Sequence, residues 1–249
     1  KACKISLAKK WQFVVPETVF LSGDLVKEIF EKKKIPTEIL SHLKNKLIAI
    51  RPSPVADQFK KNGSFLYIGL DDQSFDTLKH SVGVKSALKI YLSFLRMFAL
   101  TVYNLDLENC DELKELLESL KTSEQVVFER SLCKISRIKQ LISLETGSDF
   151  PKNTSEQLIE VISAIYKKWI SPTQRILRDV SGRKSDELIP VFLQEMHFGL
   201  KNKPVEYFKV KNFDERTGKL GFQYFRSDNR IEKSFFDLVN EEEVGSAPK

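Results

Sequence analysis

Histidine, the side chain best suited to proton transfer near neutral pH, is rare in this chain, and its three copies are far apart. The three histidines are His42, His80 and His197, and none of them stands in an HExxH or a Cys–His pattern. Metal-dependent hydrolysis and a Ser-His-Asp triad each need such groups in a defined arrangement, so the sequence supports neither. We expect His197, within a strand-like segment, to be a core or cleft-lining imidazole.

Arg51 is a basic residue whose position suits the binding of an anion. It directly follows the apolar run 47–50, which is typical of a short buried strand. An arginine at the end of a strand can point into a cleft and hold a phosphate through two parallel hydrogen bonds. The alternative is an arginine at the sheet edge that pairs with a surface carboxylate, and position alone favours this alternative.

The elements that must position these residues follow from the hydrophobic pattern. Alternating or short apolar runs predict strands at 18–21, 47–50, 63–70, 188–195, 205–210, 219–225 and 231–236. Apolar residues at helical spacing predict helices at 1–11, 25–33, 36–46, 86–103, 111–146, from 154 through 169, and 172–179. Thr154 and Gln157 are expected to form a capping box. Six residues on apolar helical stripes are predicted to be buried: Phe94, Phe98, Leu158, Ile162, Ile165 and Trp169.

Composition limits the class of protein. With 249 residues and 41% hydrophobic residues, the chain is long and apolar enough to bury a core, and no apolar run is long enough to span a membrane. The net charge of +6 and the pI of about 9.0 invite a nucleic-acid-binding interpretation, but acids interrupt the basic residues nearly everywhere. Three scattered cysteines favour an intracellular, reducing compartment. The chain does not begin with Met, so we expect a fragment, whose organelle is left open.

Three phrases of the chain are similar to those of one enzyme family. Residues 149–178 resemble the phrase DFPxDPWEQLxxAIxAVFxSWxSPRAxxYR, and residues 91–98 resemble YRRFIQMFG, with Ala99 in the glycine place. Residues 194–199 resemble the strand VQxMVFGN. These phrases are typical of the amino-terminal nucleotide-binding domain of pyruvate phosphate dikinase, which the chain resembles over most of its length.

The resemblance implies a fold class and a domain organisation. We expect an α+β, ATP-grasp-like domain over residues 1–249. A mixed α/β lobe would contain about 1–110 and part of 170–200, a helical insert would lie at about 105–168, and an antiparallel β lobe would lie at about 186–240.

The resemblance also implies an ATP cleft. Counting back without a gap from Val15-Pro16, which is similar to VPPGF, places Lys1 on the phosphate lysine of GGKGANLAEM, and Arg51 occupies the arginine place of VRSGA. In the phrase LYGEYLxNAQGEDVVAG, the glutamate place carries Gln223 and the glutamine place carries Asn229. The ancestral cleft positions are therefore Lys1, Arg51, Gln194, Gln223 and Asn229, and ATP and Mg²⁺ are the implied cofactors.

Two parts of this implied site depart from the family. After Arg51 the family's second arginine is Val55 and its loop glycine is Lys60, while prolines at 52 and 54 remove backbone donors. Gln223 removes a carboxylate that would help to hold Mg²⁺, which prefers anionic oxygen ligands. Because of these changes, we assign no residue as a metal ligand.

We therefore expect a catalytically degenerate, dikinase-like ATP-binding domain that serves as a structural or interaction subunit of a larger assembly. The alternative is an active ATP-dependent phosphotransferase half whose carrier and pyruvate domains are absent. Protein neighbours are expected to cover residues 113–127, where Leu116, Leu117 and Leu120 lie close together, although inward packing of these leucines is equally compatible. No membrane is expected as a partner, and nucleic acid is not favoured.

Overall fold

A four-stranded antiparallel sheet organises residues 17–196. Its strands are β1 (Thr18–Leu21), β2 (Ile48–Pro52), β3 (Phe65–Ile68) and β4 (Val191–Glu195), in the spatial order β1-β4-β2-β3. The computed structural model describes residues 5–6, 9–10, 15–54, 64–107, 110–122 and 128–198, together with the backbone of 205–214 and 219–227. It divides into one unit of residues 17–196 and a second of 1–16 with 197–249.

The described residues also form eight helices and a separate hairpin. The hairpin consists of β5 (Val205–Asp214) paired with β6 (Lys219–Ser227). None of the described helices is both long and apolar enough to cross a bilayer. The helices are α1 (Gly23–Lys32), α2 (Thr37–Leu43), α3 (Asp72–Val82), α4 (Val84–Val102), α5 (Asp111–Thr122), α6 (Phe128–Thr146), α7 (Thr154–Trp169) and α8 (Pro172–Val180).

The predicted mixture of helices with an antiparallel sheet is confirmed. Helix α4 is the centre of the core, because α3, α5, α6, α7 and strand β3 all contact it. Its buried aromatic rings continue onto neighbouring elements, with Phe94 and Phe98 both packed against Phe150. The six residues predicted to be buried are all buried: Phe94, Phe98, Leu158, Ile162, Ile165 and Trp169.

Strand β2 is longer than its prolines predict. The strand predicted at 47–50 extends two residues further, since Arg51 and Pro52 pair with Phe192 and Val191 of β4. A proline at the end of a strand removes only one donor from the ladder, so the neighbouring strand can still hold the segment.

Helix α3 was not expected from its apolar pattern. Asp71 accepts a hydrogen bond from the Ser74 amide (2.8 Å), and the Ser74 hydroxyl accepts one from the Asp71 amide (2.7 Å). This reciprocal pair satisfies two amides that a helix start otherwise leaves without partners. The signal in the sequence was the Asp-x-x-Ser spacing.

Gln157 anchors the turn that follows β3 and does not cap a helix. The predicted Thr154–Gln157 capping box is wrong: Asn153 is the N-cap, and its side chain accepts from the Glu156 amide (3.0 Å). The buried Gln157 carboxamide accepts from the Gly69 amide (2.8 Å) and donates to the Leu70 carbonyl (3.1 Å). Helix α7 is thereby fixed to the sheet through the backbone of a loop.

The turn that Gln157 holds also requires its glycine. Gly69 has a φ of +96°, and a Cβ added there would lie 2.7 Å from the Lys46 carbonyl oxygen. A side chain at this position would therefore be strained both in its backbone conformation and by contact.

We predict that Gln157→Leu lowers the free energy of unfolding by about 3 kcal/mol, because a buried donor and a buried acceptor lose their partners. Urea denaturation of the whole chain measures this loss. The control is Gln140→Leu, at an exposed position on α6, which should change stability by no more than about 0.5 kcal/mol. Equal effects of the two substitutions would contradict the anchoring role.

Candidate functional site

Arg51 and Gln194, two of the predicted cleft residues, lie on the same face of the sheet. Arg51 on β2 pairs with Phe192 on β4, and Gln194 pairs with Ala49. Residues opposite each other in an antiparallel pair share a face, as do residues two apart along a strand. The side chains of Arg51 and Gln194 are therefore diagonal neighbours on adjacent strands.

This face, which we call the Arg51 face, has a mixed chemical character. One row across three strands consists of Phe20, Phe192 and Arg51, and the next consists of Thr18, Gln194 and Ala49. The opposite face is apolar and fully buried at its centre, with Leu21, Ile48, Ile50, Val191 and Leu193 at 0% exposure. The sheet is thus buried at its centre on both faces, since Phe192, Ala49 and Gln194 are 1%, 2% and 8% exposed, and only the Arg51 face combines buried polar and apolar side chains there.

Arg51 is a half-buried cation beside an aromatic ring. Its guanidinium carbon lies 5.9 Å from the ring centroid of Phe192, within the range of a cation–π contact. Burial lowers the pKa of Arg51 from 12.5 to about 10, so the side chain stays charged at neutral pH. A partly desolvated guanidinium attracts anions more strongly than an exposed one, which suits it to a phosphate or a carboxylate.

Gln194 is buried in the second row. Its Nε2 donates to the Thr18 hydroxyl at 3.3 Å, which links the central strand β4 to the edge strand β1. This contact uses one of the donors of the carboxamide and orients it along the Arg51 face.

The backbone immediately after Arg51 is not available to an anion. Pro52 and Pro54 have no amide hydrogen, and the Ser53 amide donates to the Pro190 carbonyl at 2.9 Å. Residues 52–54 therefore offer no backbone donor to a phosphate, unlike the amide-lined loops that commonly bind one.

Two carboxylates at the Gln194 end of the strands share one cation, Lys46. The Lys46 ammonium contacts Glu17 and lies 3.6 Å from Glu195, and Glu17 also meets His42 Nδ1 at 3.1 Å. The hydrogen bond from Lys46 is the largest cause that lowers the pKa of Glu17. This pairing reduces the repulsion that these acids would exert on an anionic ligand.

Three of the predicted cleft positions cannot be placed on this face. Lys1 and Asn229 lie outside the described residues, as do Val55 and Lys60. Gln223 lies on β6, where it pairs with Lys209 in the hairpin, and its side chain is not described. The convergence of Lys1, Arg51 and Gln223 stays a prediction. Within the part of the chain that is described, no group of three His, Cys, Asp or Glu side chains could hold a metal ion.

The helical insert packs inward. Leu116 and Leu120 are each 1% exposed and Leu117 is half-buried, so the alternative of inward packing holds for these leucines, while residues 123–127 of the predicted partner surface lie outside the described residues. Both α4 and α6 contact α5 and cover these leucines. The expectation for His197 is also corrected, since β4 ends at Glu195 and His197 is exposed.

Arg178, the last residue of the longest matching phrase, is a structural residue. It is 1% exposed, and its guanidinium donates to the carbonyls of Trp169 (2.7 Å) and Ser185 (2.8 Å). The guanidinium carbon lies 4.3 Å from the Trp169 ring centroid, and burial lowers the pKa of Arg178 below its ordinary value. The side chain therefore joins the end of α7, helix α8 and the loop before β4.

We predict that Arg178→Lys lowers the free energy of unfolding by about 2 kcal/mol, because an ammonium cannot stack on the indole while reaching two carbonyls. Arg175→Lys is the matched control on the exposed side of the same helix and should cost no more than about 0.5 kcal/mol. Urea denaturation followed by circular dichroism measures both. An Arg178→Lys protein as stable as the control would rule out the structural role of Arg178.

Comparison with known proteins leaves the family of this chain open. None of the protein-family models scanned matches the chain, and no curated protein is similar enough to count as a match. The resemblance to pyruvate phosphate dikinase therefore stays a prediction from sequence phrases.

Proposed function

We propose that the chain is an ATP-grasp-like, dikinase-type nucleotide-binding domain that binds ATP, has lost phosphoryl transfer, and acts as a structural or interaction subunit of a larger assembly. The observation that carries this proposal is the common face of Arg51 and Gln194 on adjacent strands. The two residues belong to separate sequence phrases, and nothing in either phrase alone requires that they be neighbours.

The chemistry of the Arg51 face supports binding of a polyanion. The half-buried guanidinium remains cationic at neutral pH, and the acids at the other end of the strands are held by Lys46. A triphosphate suits this surface because Arg51 can form charge-assisted hydrogen bonds to it, and Lys46 offsets part of the negative charge at the other end of the strands.

The segment after Arg51 supports the loss of phosphoryl transfer. Catalysis of this reaction consists almost entirely of positioning and charge, supplied by amides, cations and metal-bound carboxylates. Residues 52–54 have no free amide, and Gln223 stands where the family phrase has a glutamate. Each change removes a group that phosphoryl transfer needs, and neither change removes the cation of Arg51 that would bind the triphosphate.

The interaction role is supported by apolar side chains at the surface. On α8, Ile176, Leu177 and Val180 are exposed to 62%, 46% and 81%. Large apolar groups clustered at one place on a surface are typical of protein contacts. This helix therefore replaces the insert as the candidate surface for a protein neighbour.

Titration calorimetry with ATP and Mg²⁺ tests nucleotide binding. We predict that the chain binds ATP and that Arg51→Met weakens the affinity at least about tenfold, because a charge-assisted contact to phosphate is lost. Arg137→Met, at an exposed arginine on α6, is the matched control and should leave the affinity unchanged. A chain that releases no heat with ATP, and does not compete for a fluorescent analogue, would contradict the proposal.

A phosphate-exchange assay with labelled ATP tests the loss of turnover. We expect no exchange by the wild-type chain, and none by Gln223→Glu, because the loop after Arg51 still lacks its donors. Exchange by the wild-type chain that disappears in Arg51→Met would favour the active phosphotransferase instead.

A further inference from the structure

Helix α8 buries a charged residue and exposes apolar ones. Arg178 is the buried residue of the helix, whereas Ile176, Leu177 and Val180 face solvent. The orientation of α8 follows from the contacts of Arg178, because its guanidinium must point inward to reach the carbonyls of Trp169 and Ser185. The same rotation of the helix turns its aliphatic residues outward.

The exposed residues form two adjacent rows along α8. Ile176 and Val180 are one helical turn apart, with Leu177 beside them, and constitute an apolar row. Arg175 and Asp179 precede them by one position each, so they form a second, charged row next to the first. Both charged residues are exposed, and they differ in sign.

This arrangement is self-complementary. When two copies of α8 pack antiparallel about a two-fold axis near Leu177, their charged rows run in opposite directions on the same side of the helix pair. Arg175 of each copy therefore faces Asp179 of the other. The apolar rows then cover each other. A parallel two-fold arrangement would place the two charged rows on opposite sides of the helix pair, so no ion pair would form between them.

We propose that α8 is a homodimer contact, in which two copies of the chain pack antiparallel through Ile176, Leu177 and Val180 and form two Arg175–Asp179 ion pairs. The nine-residue helix presents far less surface than the roughly 1,200 Å² at the lower end of stable interfaces, so the dimer is weak, with a dissociation constant on the order of 10⁻⁵ to 10⁻⁴ M. The contact does not depend on ATP and can be judged independently of nucleotide binding.

Sedimentation velocity of the whole chain, over about 5 μM to 1 mM, tests this dimer. We expect a concentration-dependent monomer–dimer equilibrium that Ile176→Ser with Val180→Ser weakens at least about tenfold, because the apolar row is lost. Leu144→Ser is the control, since Leu144 is 79% exposed but lies on α6. It should leave the equilibrium unchanged, and circular dichroism checks that every variant is folded.

Charge exchange tests the antiparallel geometry. Arg175→Asp alone and Asp179→Arg alone should each weaken the dimer about tenfold, because each places like charges opposite one another twice. The double variant Arg175→Asp with Asp179→Arg should restore it. A chain that stays monomeric throughout the concentration range, a dimer that ignores the α8 substitutions, or a double variant that is not rescued would each overturn the proposal.

Discussion

The hydrogen bonding of β4 between β1 and β2 is the interaction on which the rest of the structure depends. This strand comes from the far end of its unit in sequence, yet it is paired on both sides with strands from the beginning of the unit. The register places Val191 and Leu193 in the core, and Gln194 and Phe192 beside Arg51. A shift of one residue would exchange the two faces, so the core and the candidate site are determined by one set of backbone contacts.

Two buried polar side chains secure the elements around that sheet. Gln157 binds the backbone of the turn after β3, and Arg178 binds the carbonyls at the end of α7 and in the loop before β4. Both belong to the phrase that resembles the dikinase domain. Their contacts are structural, so the similarity of this phrase can be explained by the needs of folding without any catalytic requirement.

The two candidate surfaces of the chain are consequences of this scaffold. The Arg51 face collects a cation, two aromatic rings and a carboxamide because alternate residues of three strands point to one side. The apolar row of α8 is exposed because Arg178 occupies the inward direction of that helix. Anion binding and protein contact therefore use different residues and could be retained or lost separately.

The sequence by itself determined the locally encoded features. Apolar residues at helical spacing identified the buried faces of α4 and α7, and the apolar run before Arg51 identified β2. Contacts between distant segments decided the direction of side chains, which periodicity could not. Gln157 binds a loop instead of capping its own helix. The leucines of α5 are buried where α4 and α6 contact that helix, whereas α8 turns its apolar row outward. Spacing along one helix identifies an apolar stripe, but only packing against the rest of the chain determines whether that stripe faces the core or the solvent.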